Sequence, residues 1–144
     1  MRRLLMTGGL FVAAMGGGAG CFVGPSTKNF QRMAQRPEGA AVEVDVGKGR
    51  PLVSGELLEV RDTALLVRDT TGEGGGGGGE ITLVPFRLVR GGRVPARGGS
   101  WEGGPRGRTW DRLRLLSRFP YGLAAPQLQA LLAAYGRDSL TVVR

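Results

Sequence analysis

Apolar and polar residues alternate strictly over Val42-Glu43-Val44-Asp45-Val46. Side chains two apart share one face of a strand, so this run predicts a half-buried strand. Gly47-Lys48-Gly49-Arg50-Pro51 reads as a turn, because glycine and proline supply turn dihedrals without steric cost. Residues 52–60 predict a second strand, with Gly55 in its interior marking a bulge or a sharp bend. A bend there also accounts for the adjacent apolar pair Leu57 and Leu58, which breaks simple alternation. Arg61-Asp62-Thr63 makes a tight connection to a third strand over 64–69, and a fourth spans 80–84, stopped by Pro85. A fifth has two candidates, 88–94 and 139–143.

The period changes near the C-terminus. Thr109 is placed to cap a helix in which Trp110, Leu113 and Leu116 share a face. Phe119-Pro120-Tyr121-Gly122 breaks it, and Pro126 opens a second helix with Leu128, Leu131, Leu132 and Tyr135 at helical spacing and Gly136 as its stop. The predicted class is mainly β with α: a small antiparallel β-barrel followed by a pair of short helices packed on its open face. Residues 42–94 resemble the SH3-like and Sm-like small barrels in this pattern of short, closely spaced strands.

The chain has 144 residues and a formal net charge of +8. From Glu38 to Glu80 there are nine acids against four bases, and from Arg87 to Arg118 nine arginines against two acids. The basic candidates for a charged surface are Arg87, Arg90, Arg93, Arg97, Arg106, Arg108, Arg112, Arg114 and Arg118. Such a surface attracts the acidic half of the same molecule, anionic lipid or nucleic acid. There is no histidine and one cysteine, Cys21, which excludes an intrachain disulfide and any site built on His and Cys ligands. No cofactor or metal is expected, since the acids near 43–62 lack calcium-loop spacing.

The first residues carry an address. Met1-Arg2-Arg3 precedes the apolar run Leu4 to Met15, and small residues lead to Gly18-Ala19-Gly20-Cys21. Charge, apolar stretch and small residues in that order are those of a secretory signal. The last four residues resemble the lipobox of bacterial lipoproteins, with Gly18 where an aliphatic residue is usual. The resemblance implies cleavage between Gly20 and Cys21, diacylglycerol on the Cys21 sulfur and acylation of the new amine. Acyl chains on Cys21 then hold the protein on a membrane of the cell envelope. Phe22 after the cysteine favours the periplasmic face of the outer membrane. Glycines scattered between Leu4 and Val23 disfavour the rival reading of an uncleaved spanning helix.

The domain map is therefore a signal peptide over 1–20, a tether over 21–39, the barrel over 40–97, an Arg/Gly-rich linker over 98–109, and a helical cap with a possible last strand over 110–144. The six glycines of 74–79 form a loop inside the barrel; Glu80, where a phosphate-binding loop needs Lys and Ser or Thr, excludes that motif. Residues 98–107 are expected to be disordered. Three functions compete. The first is a non-catalytic envelope lipoprotein that presents an interaction surface to an envelope protein or to lipid headgroups. The second is a cytoplasmic nucleic-acid-binding barrel, if the chain starts at a later methionine, using Arg90-Gly91-Gly92-Arg93 and Arg97-Gly98-Gly99 with Trp101 and Trp110 as stacking aromatics. The third is a cell-wall glycan hydrolase in which Glu56 and Glu59 approach Asp62 or Glu43 as paired carboxylates.

Overall fold

A computed structural model describes residues 38–71 and 79–144. The expectations for the signal peptide, for Cys21 and residues 21–37 of the tether, and for 74–78 of the glycine run lie outside the described residues. The strands are β1 (Ala41–Asp45), β2 (Val53–Val60), β3 (Ala64–Arg68), β4 (Ile81–Pro85), β5 (Gly91–Val94), β6 (Gly99–Glu102) and β7 (Thr141–Val142). Helix α1 is Arg108–Leu116 and helix α2 is Ala125–Ala134. The strands form one mixed sheet in the order β6-β5-β1-β2-β3-β4-β7, antiparallel except for the parallel pair β4–β7.

The centre of the design is β2. Its first half pairs with β1, where Ala41 faces Glu56 and Val44 faces Val53. Its second half pairs with β3, and the register shifts between Leu57 and Glu59. One extra residue, Leu58, is thereby inserted opposite the regular ladder. Leu57 and Leu58 are both fully buried, but in different places. Leu57 joins Val42, Val44, Leu65, Val67, Val84, Leu113 and Leu116 in one core. Leu58 joins Leu66, Ile81 and Leu132 in a second core, covered by Leu128, Leu131, Tyr135 and Leu140. Adjacent residues of a strand point to opposite faces, so the split between Leu65 and Leu66 shows that β3 is buried on both sides. Helix α1 covers one face of this central sheet and α2 the other.

Position 55 requires glycine because a Cβ there would collide with the Arg68 carbonyl of the neighbouring strand, while the irregularity expected around Gly55 falls further on, between Leu57 and Glu59. Just beyond Gly55, the carbonyls of Leu57 and Leu58 accept the N–H groups of Arg118 (3.0 Å) and Phe119 (2.9 Å). The segment after α1 is thus fastened along the irregular stretch of β2, which is why the chain leaves the helix there.

Four expectations are corrected. The sheet is not closed into a barrel: β6 occupies the outer edge of β5 and β7 that of β4, so these two strands do not meet. Both candidates for the fifth strand form strands, one on β1 and the other on β4. The helices sit on opposite faces rather than as a hairpin over one, because the two-sided β3 needs a cover on each side. Residues 99–102, expected to be disordered linker, form β6, with Trp101 only 3% exposed. Helix α1 also starts earlier than expected. Its N-cap is Gly107, and Thr109 is buried inside the first turn.

Trp101 explains the glycine pair of β5. Gly92 faces Trp101 in the ladder, and a Cβ at Gly92 would run into the indole ring and the Glu43 carbonyl. The absent side chain is what admits the ring. We therefore expect Gly92→Ala to lower stability by about 2–3 kcal/mol through overpacking, read as a fall in the urea midpoint; an unchanged midpoint would contradict this packing.

Candidate functional site

The two glutamates considered for acid chemistry are buried, Glu56 to 4% and Glu59 to 6% exposure. A carboxylate taken out of water persists only with strong partners. Glu56 has them: Oε2 accepts from Arg68 Nε at 2.8 Å and lies 2.8 Å from its Nη2, while Oε1 accepts the Gly39 N–H at 2.9 Å. Arg118 Nη1 stands 3.7 Å from the same Oε1. Glu59 Oε2 accepts from Arg61 Nε at 2.9 Å, and its Oε1 accepts the Leu123 N–H at 3.1 Å. Neither is paired with Asp62 or Glu43 as the hydrolase reading required. Glu43 takes Arg93 instead, at 2.6 Å, on an exposed part of β1 and β5.

These carboxylates act as fasteners. Glu56 sits where β2 is opposite both Ala41 and Arg68, so it ties Gly39, β3 and the segment after α1 to one point. The guanidinium of Arg68 continues the chain of contacts by stacking 4.7 Å from the Tyr135 ring at the end of α2. Arg118 stacks 5.5 Å from the Phe119 ring and donates weakly, at 3.5 Å, to the Tyr135 hydroxyl. Glu59 performs the equivalent task for the turn Pro120-Tyr121-Gly122. By holding Leu123 it leaves Tyr121 97% exposed on the surface. Beside Tyr121 an open depression of ≈ 480 Å³ is lined by Arg61, Asp62, Trp110, Arg114, Pro120 and Gly122, among others. Trp110 Nε1 donates to the Arg61 carbonyl at 3.1 Å, and Arg114 covers its ring at 4.8 Å.

The nine arginines named as candidates for a basic surface sit in different surroundings. Arg93 and Arg118 lie against carboxylates and Arg114 against an indole. Arg112 is half-buried, and Arg97 ends a 3-10 turn over Pro95–Arg97. Arg87, Arg90, Arg106 and Arg108 are exposed. A different basic cluster comes together instead. Lys48 and Arg50 from the β1–β2 turn line an open depression of ≈ 660 Å³ with Arg90 from the β4–β5 connection. Sequence reasoning had set these two residues in the acidic half. The missing signal was the β1–β5 pairing, which brings residues some forty positions apart to one end of the sheet.

Among the described residues no helix is long and apolar enough to cross a membrane. Comparisons with protein-family models, with curated proteins and with solved structures find no match for this chain.

The two kinds of ion pair differ in burial and so in cost. Glu56→Gln leaves Arg68 and Arg118, whose side chains are 21% and 30% exposed, without their charge partner. A loss of about 2–3 kcal/mol is expected, below the full penalty for a broken buried pair because water reaches both arginines. Glu43→Gln, against an Arg93 that is 64% exposed, is expected to cost less than about 1 kcal/mol. Urea unfolding of both variants checks the order; equal losses would contradict it.

Proposed function

We propose that this chain is an exported lipoprotein of the cell envelope, held on a membrane by acyl chains on Cys21, whose folded part works as a non-catalytic interaction module. The observation that carries the reading is the N-terminal succession of Met1-Arg2-Arg3, the apolar run to Met15 and Gly18-Ala19-Gly20-Cys21. More than one acyl chain gives stable anchoring where a single chain binds only marginally. The periplasmic face of the outer membrane is the proposed location, on the strength of Phe22.

Support for an interaction module comes from the use of the two buried acids. Both are engaged by arginine and backbone N–H groups, and Glu59 holds out an exposed tyrosine beside Trp110. Tyrosine on a fixed turn offers a large amphipathic surface at small entropic cost, as interface anchors do. The nucleic-acid alternative loses one of its two stacking rings, since Trp101 is packed against Gly92. Arg90-Gly91-Gly92-Arg93, its first repeat, is part of a strand rather than a free arm.

Intact mass of the protein extracted from its native host tests the anchor. The expected species begins at Cys21 and carries the mass of diacylglycerol and an amide-linked acyl chain. Labelling with a palmitate analogue is expected in the wild type and lost in Cys21→Ala. A native chain that keeps Met1, or takes up no label, overturns the proposal.

A further inference from the structure

We propose that the depression between the β1–β2 turn and the β4–β5 connection binds the phosphate of an anionic lipid headgroup and so orients the folded domain on its membrane; the orienting role rests on the anchor reading above. Asp45, Val46, Gly47, Lys48, Arg50, Leu88 and Arg90 line it. Three exposed cations face one carboxylate there, an excess of two positive charges (3 − 1 = 2). The carboxylate is already used: Asp45 Oδ1 accepts the Gly47 N–H at 2.8 Å. Arg61, Arg68, Arg93 and Arg118 each lie within 4.0 Å of a carboxylate, whereas Lys48, Arg50 and Arg90 have no such ion pair among the described residues. The two arginines borne on strands, Arg68 and Arg93, are neutralised within the fold, whereas these three cations of the connecting turns gather at one depression where an outside anion can reach them.

The cluster also has a fixed frame. Arg90 donates its N–H to the Asp45 carbonyl at 2.8 Å and accepts from the Gly103 N–H at 2.8 Å, so its backbone is held between β1 and the end of β6. Its Cγ packs 4.0 Å from where a Cβ of Gly47 would stand. Arg50 closes the turn with its N–H on the Gly47 carbonyl at 3.3 Å. Arginine offers phosphate a planar fork and lysine a compact charge. The apolar side is supplied by Leu88, half-buried, and Val46. Among the described residues no aromatic ring lines the depression, so they offer no stacking platform of the kind on which single-stranded nucleic acid depends. Geometry permits the approach. The site lies at the end of β1 opposite Gly39, and the 17 residues from 22 to 38 reach at most about 60 Å when extended.

The test uses the full chain with Cys21→Ser, so that acylation contributes nothing, and measures its partition onto vesicles of phosphatidylcholine with and without phosphatidylglycerol. Binding through the apolar N-terminal run is common to wild type and variants, and the difference between them is read. Each lost cation is expected to weaken binding to the anionic vesicles by about five-fold, and Lys48→Gln/Arg50→Gln/Arg90→Gln together by about a hundred-fold. The equal-charge control Arg87→Gln/Arg106→Gln/Arg108→Gln is expected to change it by less than about three-fold. All six side chains are exposed, and an unchanged urea midpoint verifies that the fold is kept. Equal losses in the two triple variants overturn the site in favour of diffuse attraction. Tighter, site-dependent binding of a single-stranded oligonucleotide overturns it in favour of nucleic acid. Failure of the anchor would instead appear in the native mass and leave this charge dependence intact.

Discussion

Leu57 and Leu58 are neighbours in the chain and belong to separate cores, because adjacent strand residues point to opposite faces and both faces of the central sheet are covered, one by α1 and the other by α2. Most of the architecture depends on that two-sided burial. Once Leu58, Leu66 and Ile81 are directed away from the main core, each represents about 1.5–3 kcal/mol of burial that only a second cover can supply. Helix α2 is that cover, and it needs the stretch from Ser117 to Ala124 to carry the chain around the sheet. The carbonyls of Leu57 and Leu58, just past the end of the β1–β2 ladder, receive that stretch. Packing and hydrogen bonding thus require the same path.

Charge is used locally to hold this path in place. Glu56 and Glu59 sit at either side of the irregularity; Glu56 binds Arg68, Arg118 and the Gly39 N–H, and Glu59 binds Arg61 and the Leu123 N–H. A buried carboxylate adds little net stability over a well-packed apolar group, but leaving its partners unmatched is costly. What such pairs specify is which segment lies where. Here they set the positions of Gly39 and of the turn at Tyr121. The surface left over is divided: an aromatic face around Trp110 and Tyr121, and a cationic end formed by Lys48, Arg50 and Arg90.

The first four strands and both helices were legible because period and turn chemistry are local properties. Strict alternation over Val42 to Val46 and the helical spacing of Leu128, Leu131 and Leu132 need no tertiary information. The remainder was hidden for identifiable reasons. β6 carries two glycine neighbours and arginines that read as linker, yet its backbone completes the β5 edge and Trp101 fills the space that Gly92 vacates. Ala64 to Val67 is continuously apolar, which was the available sign of a strand covered on both faces. The carboxylates looked like a catalytic pair, and their role became visible only when the register set Glu56 opposite Arg68. The cationic depression depends on a pairing between distant strands that no local pattern encodes.

Two-sided burial of the central strands is the claim on which this account stands, and thiol accessibility tests it most directly. Cysteine is placed singly at Leu65 and at Leu66, neighbours assigned to opposite cores, and at Leu52, which is 52% exposed. Alkylation is followed by peptide mass under native conditions. The account predicts that both core thiols react only as fast as the protein opens, far more slowly than the one at position 52. Rapid labelling at either position 65 or position 66, at the rate of the exposed site, would show a sheet covered on one face only and contradict it.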